Sequence, residues 1–447
     1  MTDTGDTAWL LAASALVLLM APGLALFYGG MVRSKSVLNM MMMTFGALGA
    51  VTVVWALVGY SLAFGDDLGL GLIGDPRQYL GLSSLMEQSA NGDSTVPLIL
   101  FAAFQGLFAV ITGALISGAI ADRARFGTWM VFVSVWTVVV YAPVAHWVFD
   151  YDRSGHQGGW MANTLGLVDF AGGTAVEICS GGSALAVALV VGRRVGFGRD
   201  PMRPHNLTLV MLGAGLLWFG WFGFNSGSAL GANHTAAVVF VNTLLAGCTG
   251  ALAWLSVERL RDGHATSLGA ASGLVAGLVA ITPSCASLSP VGAMLMGMLA
   301  GVICALAVGL KYTFRYDDSL DVVGVHLVGG LVGTFGIGLL ATAVAPSGVD
   351  GLFYGGGAEQ LGKQLLGGLV VLAFAFGVSY VLARVLDATM GFRVDEEHEV
   401  SGIDLVVHAE TAYDLHATAG TRSGGTVIGG MPRHTDILRH TERNLEG

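Results

Sequence analysis

Charge is what this chain has least of. Charged residues make up 12% of its 447 positions, about half the usual share of roughly 25%. That scarcity excludes a disordered chain, a coiled coil and a nucleic-acid binder, all of which need far more charge. Cysteine is also sparse, at four residues (Cys179, Cys248, Cys285 and Cys304). None falls in a C-x-x-C or zinc spacing, so a disulfide scaffold is excluded and the thiols pack rather than bind metal. Neither a metal site nor a cofactor site is expected. What the chain does have is apolar surface, with 54% hydrophobic residues and 67 glycines, about twice the usual glycine share. Lipid is the solvent such a chain suits, and small residues let membrane helices approach closely.

A helix crossing a hydrocarbon core of about 30 Å needs roughly 20 mainly apolar residues. Eleven such runs are expected, near 9–31, 39–64, 97–120, 127–149, 169–191, 206–227, 235–257, 266–283, 290–311, 321–345 and 363–387. The first run is flanked by Asp3 and Asp6 rather than by Lys or Arg, the reverse of a cleavable signal peptide. Of the 21 Lys and Arg, twelve fall in one alternating set of loops and three (Arg77, Arg153 and Lys363) in the other. The positive-inside rule then puts the N-terminus outside and the C-terminus inside, with an odd number of spans.

The expected fold is an all-α membrane protein. Two five-helix repeats (about 9–191 and 206–345) run in opposite senses, because an odd group size inverts the second, and an eleventh helix follows. The membrane domain would cover 1–390, with a cytoplasmic tail at 391–414. An extension at 415–447, rich in Gly, Thr, Arg and His, reads as disordered. The segment 391–447 carries a net charge of −5 and is too polar to span.

Ionisable residues inside a membrane are functional candidates by default, since each costs about 2.5–3.5 kcal/mol even on lenient scales. Glu177 lies eight residues past Asp169 and His326 eight past Asp318, each about 12 Å deep from opposite faces by the helical rise. Each is on the fifth helix of its half, so pseudo-symmetry would bring the two together. Such a pair either relays a proton or locks two helices as a buried hydrogen bond.

Several segments then resemble one family. They are Phe27-Tyr28-Gly29-Gly30-Met31-Val32-Arg33, Asp169-Phe170-Ala171-Gly172-Gly173-Thr174 running to Arg194, and Gly220-Trp221-Phe222-Gly223-Phe224-Asn225 with Ser228. Two more are Asp317-Asp318-x-x-Asp321 running to His326, and Gly402-Ile403-Asp404-x-x-x-His408-Ala409-Glu410-x-Ala412-Tyr413. From about Trp9 to Tyr413 the chain resembles the ammonium transporter, methylammonium permease and Rhesus family.

The resemblance implies a homotrimer in the cell membrane, one apolar pore per protomer, and ammonium or ammonia as substrate, with methylammonium as its analogue. It implies a stacked phenyl gate at Phe108 and Phe224, a recruitment site with Ser228, Asp169 and Trp221, and a pore pair at Glu177 and His326. It further implies a regulatory tail carrying Gly402, Asp404, His408, Glu410 and Tyr413, and a PII-type signal protein as cytoplasmic partner. Two features depart from the family pattern. Glu177 stands where the first pore histidine is usual, and the outer aromatic falls on Phe149, with Trp147 or Trp160 as substitutes beside the unusually polar stretch 150–159. Asp169 is an N-cap alone or also a source of negative potential.

The expected mechanism is electrogenic. Acidic outer loops and aromatic faces gather the cation. Ammonium loses a proton near the gate, ammonia crosses the apolar pore, and the Glu177/His326 pair passes the proton inward. The competing readings are an ammonium sensor acting through a partner and an electroneutral gas channel of the Rhesus type. No nucleophile–base or metal set suggests an enzyme. His146 reads as a helix-end hydrogen bonder, and the run Met40–Met43 reads as packing.

Overall fold

The computed structural model describes residues 2–87 and 94–413, so the extension at 415–447 lies outside the described residues. The regular elements among those residues are helices joined by irregular loops, with isolated bridges as the only extended pairing. Ten helices are long and apolar enough to cross a membrane. They are α1 (Thr4–Met31), α2 (Val37–Phe64), α3 (Leu98–Ile120), α4 (Phe126–Phe149), α5 (Gly173–Val191), α6 (Leu207–Gly227), α7 (His234–Asp262), α9 (Pro290–Phe314), α10 (Val323–Leu340) and α11 (Glu359–Met390). Two short helices follow, α12 (Glu396–Ser401) and α13 (Ile403–His408).

The eighth expected span is the exception. It forms an apolar helix, α8, over Ser267–Ile281, and its 15 residues fall short of the roughly 20 a full crossing takes. Proline explains the early stop, because it cannot continue a helix and restricts the residue before it. Pro283 lies just past the end of α8, against Gly173 at the start of α5, and its carbonyl accepts the Phe170 amide at 3.1 Å.

Local sequence sets the helix starts. The side chains of Asn206, Asn233, Thr266 and Ser289 cap α6, α7, α8 and α9 by accepting amides three residues on, as short polar side chains do. Glycine sets the spacing between helices. A Cβ on Gly213 would stand 2.3 Å from the Phe27 nitrogen, and one on Gly220 2.3 Å from Met20 Cγ, so α6 touches the backbone of α1.

The first and second halves repeat one device at their fifth helices. Both α5 and α10 open with a π-helical turn, at Gly173–Ile178 and Val323–Leu327, a distortion often found at functional sites. Asp169 caps the first through the Gly173 and Thr174 amides, both at 2.7 Å. Asp318 caps the second through Val322 at 3.1 Å and Val323 at 2.7 Å. Four residues beyond Glu177 and His326 stand Gly181 and Gly330. A Cβ on Gly181 would lie 2.5 Å from the Leu327 nitrogen, and one on Gly330 2.8 Å from Glu177 Cβ. The two helices therefore cross in contact at the level of the buried pair.

That crossing is testable by stability. Gly181→Val should force α5 off α10 and destabilise the protein by about 1–3 kcal/mol, read as a lower thermal midpoint in detergent. Gly377→Ala, where a Cβ meets open space, should show no such loss.

Candidate functional site: a phenyl stack over a buried Glu–His pair

Phe108 on α3 and Phe224 on α6 stack face to face, with ring centroids 4.0 Å apart and planes 11° from parallel. Both are fully buried. On one side of the stack is Phe149, at the end of α4 and partly exposed. Its ring meets Phe108 edge-on at 6.3 Å. Trp147 is committed elsewhere: it packs on Phe374 at 4.7 Å, and its indole N–H donates to the Leu72 carbonyl at 2.8 Å. Trp160 packs on Trp147 at 6.2 Å. Of the three aromatics, Phe149 is the one with a ring contact to the stack. Ser228 lies one turn past Phe224 and donates its hydroxyl to the Phe224 carbonyl at 2.9 Å, which leaves its lone pairs able to accept from an N–H group.

On the other side of Phe224 is a cavity barely wide enough for a water molecule. Leu24, Leu115, Leu217 and Val275 contribute to its apolar wall, and Glu177 and His326 are the ionisable groups that line it. Glu177 Oε2 and His326 Nδ1 are 2.7 Å apart, and both side chains are buried. The two residues, expected about 12 Å deep from opposite faces by helix rise, meet through their side chains across the glycine crossing. Trp221, grouped with recruitment in the sequence reading, instead lines this cavity, and its N–H is held by Thr282 Oγ1 at 2.8 Å.

Asp169 does not line the cavity. Its oxygens accept the Gly172, Gly173 and Thr174 amides and the Thr174 hydroxyl, a set that accounts for an N-cap in full. Sequence reasoning missed Thr282 as the anchor of Trp221, since a lone threonine after a helix carries no signal of its partner.

On the opposite face of the protein, buried ions hold the loops. Arg194 binds Asp317 at 2.8 Å and Asp122 at 3.3 Å, and Arg123 donates to the Asp317 carbonyl at 2.6 Å. Burial works against ionisation of Asp317, but the hydrogen bond from Arg194 and the charge of Arg123 hold its carboxyl below the usual carboxylate range. The tail docks here. Arg393 pairs with Glu399 at 2.7 Å. Gly402, at φ +133°, lies against Lys35, in a conformation that L side chains rarely adopt. Asp404 accepts the Leu38 and Asn39 amides at 2.9 and 2.8 Å, so it caps α2, whose own Ser36 makes no cap. His408 reaches Asn39 Oδ1 at 3.0 Å, and the Glu410 amide bonds the Asp404 carbonyl at 3.4 Å. Burial pushes the Asp404 carboxyl up, and the Asn39 and Leu38 amides pull it back.

A bundle of ten helices long and apolar enough to cross a membrane is that of a multi-pass membrane protein. Residues 8–413 match the family model described as Ammonium Transporter Family, and the chain belongs to that family. It is 56% identical over 440 residues to the ammonium transporter of Mycobacterium tuberculosis, covering 94% of this chain and 92% of that one. It is 45% identical over 418 residues to the ammonium transporter of Corynebacterium glutamicum, covering 93% and 91%. Among solved structures, Mep2 of Candida albicans superposes with a TM-score of 0.81 at 34% identity, covering 89% of this chain and 88% of that one. A protein described as Sensor Amt Protein superposes at 0.83 with 29% identity, covering 90% and 98%. The chain is thus a plasma-membrane ammonium transporter and not an enzyme.

The α2 cap predicts a local effect. Asp404→Ala should loosen the tail and cost about 1 kcal/mol, with Asp404→Asn milder. Limited proteolysis within 391–413 should speed up in that order.

Proposed function

We propose that the protein moves ammonium electrogenically, separating it into ammonia and a proton that travel by different routes. The 2.7 Å contact between Glu177 and His326 on the apolar cavity beneath the phenyl stack carries this reading. Outside the stack, the Phe149 face offers a cation about 0.5–2 kcal/mol of attraction, and the Ser228 hydroxyl accepts an N–H that potassium lacks. Past Phe108 and Phe224 an ion would lose its hydration against hydrocarbon walls, while neutral ammonia would not. NH4+ therefore gives up one proton at the stack. NH3 passes the cavity, the Glu177/His326 pair takes up and hands on the proton, and the two recombine inside, so one charge moves per ammonium. The proton belongs to the pair rather than to either residue. Asp169, already saturated as a cap, adds at most a fixed negative potential.

The assembly we propose is a homotrimer with one pore per protomer. We further propose that the segment 391–413 responds to a PII-type signal protein on the inner face. The likeness to a sensor protein of this fold favours one second reading, signalling to a partner without net flux.

Ammonium pulses on proteoliposomes, with current recorded, separate these readings. Charge movement is expected; a pH change without current would make the protein a gas channel, and neither signal would make it a sensor. Glu177→Leu should lower the current by roughly a hundredfold, the low end of what a positioned proton carrier supplies. Glu177→His should shift the pH profile and sharpen discrimination against potassium. An unchanged profile in both variants would remove the pair from the mechanism.

A further inference from the structure

The polar stretch after α4 is tied to the loop after α2 by one imidazole. His156 Nδ1 is 2.7 Å from Asp66 Oδ1, and its Nε2 is 2.8 Å from Asp150 Oδ2. Ionised carboxylates only accept, and a neutral imidazole has one N–H, so a doubly protonated ring is what satisfies both contacts. Asp150 is buried while Asp66 is mostly exposed, at 1% and 60% of their side-chain surface. Asp150 also receives Arg153 at 3.0 Å and lies 3.4 Å from His146, which in turn faces Asp67 at 3.3 Å. Gln78 hydrogen-bonds Asp66, and Tyr60 and Tyr79 complete the titratable groups around the cluster.

Asp150 immediately follows Phe149, the aromatic in edge contact with Phe108. We propose that the Asp66–His156–Asp150 bridge positions Phe149 over the phenyl stack, making ammonium capture sensitive to pH on that face. This rests on the recruitment role given to Phe149 above. His156, Asp66 and Asp150 are positioning residues and touch no substrate. The hydrogen bond that His156 donates to Asp150 is the main cause raising the ring's pKa above its ordinary value of 6.5. The bridge is therefore intact below that ordinary value and is lost as pH rises through the raised one. Losing the imidazolium also removes a positive charge beside the mouth, which alone would strengthen cation capture. Positioning and simple electrostatics thus push KM in opposite directions.

The test is KM and kcat for ammonium in proteoliposomes at fixed ammonium-ion activity, from about pH 6 to 8.5. In the wild type, KM should rise roughly threefold with pH, the scale of losing one exposed cation–π contact, while kcat stays nearly constant. His156→Gln should show the raised KM at every pH. Asp66→Asn keeps an acceptor for Nδ1 but removes a charge, so it should move the inflection to lower pH; it also carries the test if His156→Gln does not fold. A wild-type KM that falls or stays flat with pH, or an Asp66→Asn profile identical to the wild type, overturns the inference. Phe149→Ala separates the two readings. If it raises KM while the bridge variants do nothing, only the bridge fails; if it leaves KM unchanged, the recruitment role fails with it.

Discussion

A carboxyl and an imidazole buried among hydrocarbon walls are tolerable only together. Separately, each would be a polar group without a partner in a medium that supplies none. Held 2.7 Å apart, they satisfy one another. Much of the surrounding architecture exists to keep that distance: π turns that rotate both side chains inward, aspartate caps eight residues before each, and glycines four residues after each that let the helices touch. The capping and crossing devices occur once at α5 and once at α10, so the site is built jointly by the two helices rather than by either alone.

In the proposed mechanism, selection for ammonium would follow from the order in which environments meet along the path. An aromatic face and a hydroxyl come first, then two stacked rings, then aliphatic walls interrupted by one ionisable pair. Each step handles a different property: charge, N–H donors, size, and the readiness to give up a proton. Potassium shares the first and third with ammonium but not the second and fourth. On that proposal, the difference would let a passage close to the width of a water molecule tell the two ions apart.

Much of this was legible in residue order. The apolar runs placed ten of the helices to within a few residues, and counting eight positions from Asp169 and from Asp318 placed Glu177 and His326 at matching depths. In the eighth run hydropathy continues past Ile281, whereas Pro283 and its packing on Gly173 end the regular helix. Trp221 stands seven residues before Ser228, on nearly the same face of α6 but about 10 Å away along the helix, and it lines the cavity. The pairing of Asp404 with the start of α2, and of His156 with Asp66, could not be read at all. Contacts between residues 365 or 90 positions apart leave no periodicity in a single chain.

The cap on α2 has a consequence for how the protein is made. A ribosome delivers Leu38 and Asn39 long before Asp404, so the second helix spends nearly all of synthesis with its first amides unmet by the group that finally receives them. The nascent bundle is thus left with a loose corner, sealed only when the last helical turn emerges. Closure of this corner is therefore a late step, reached only once position 404 of 447 has been made.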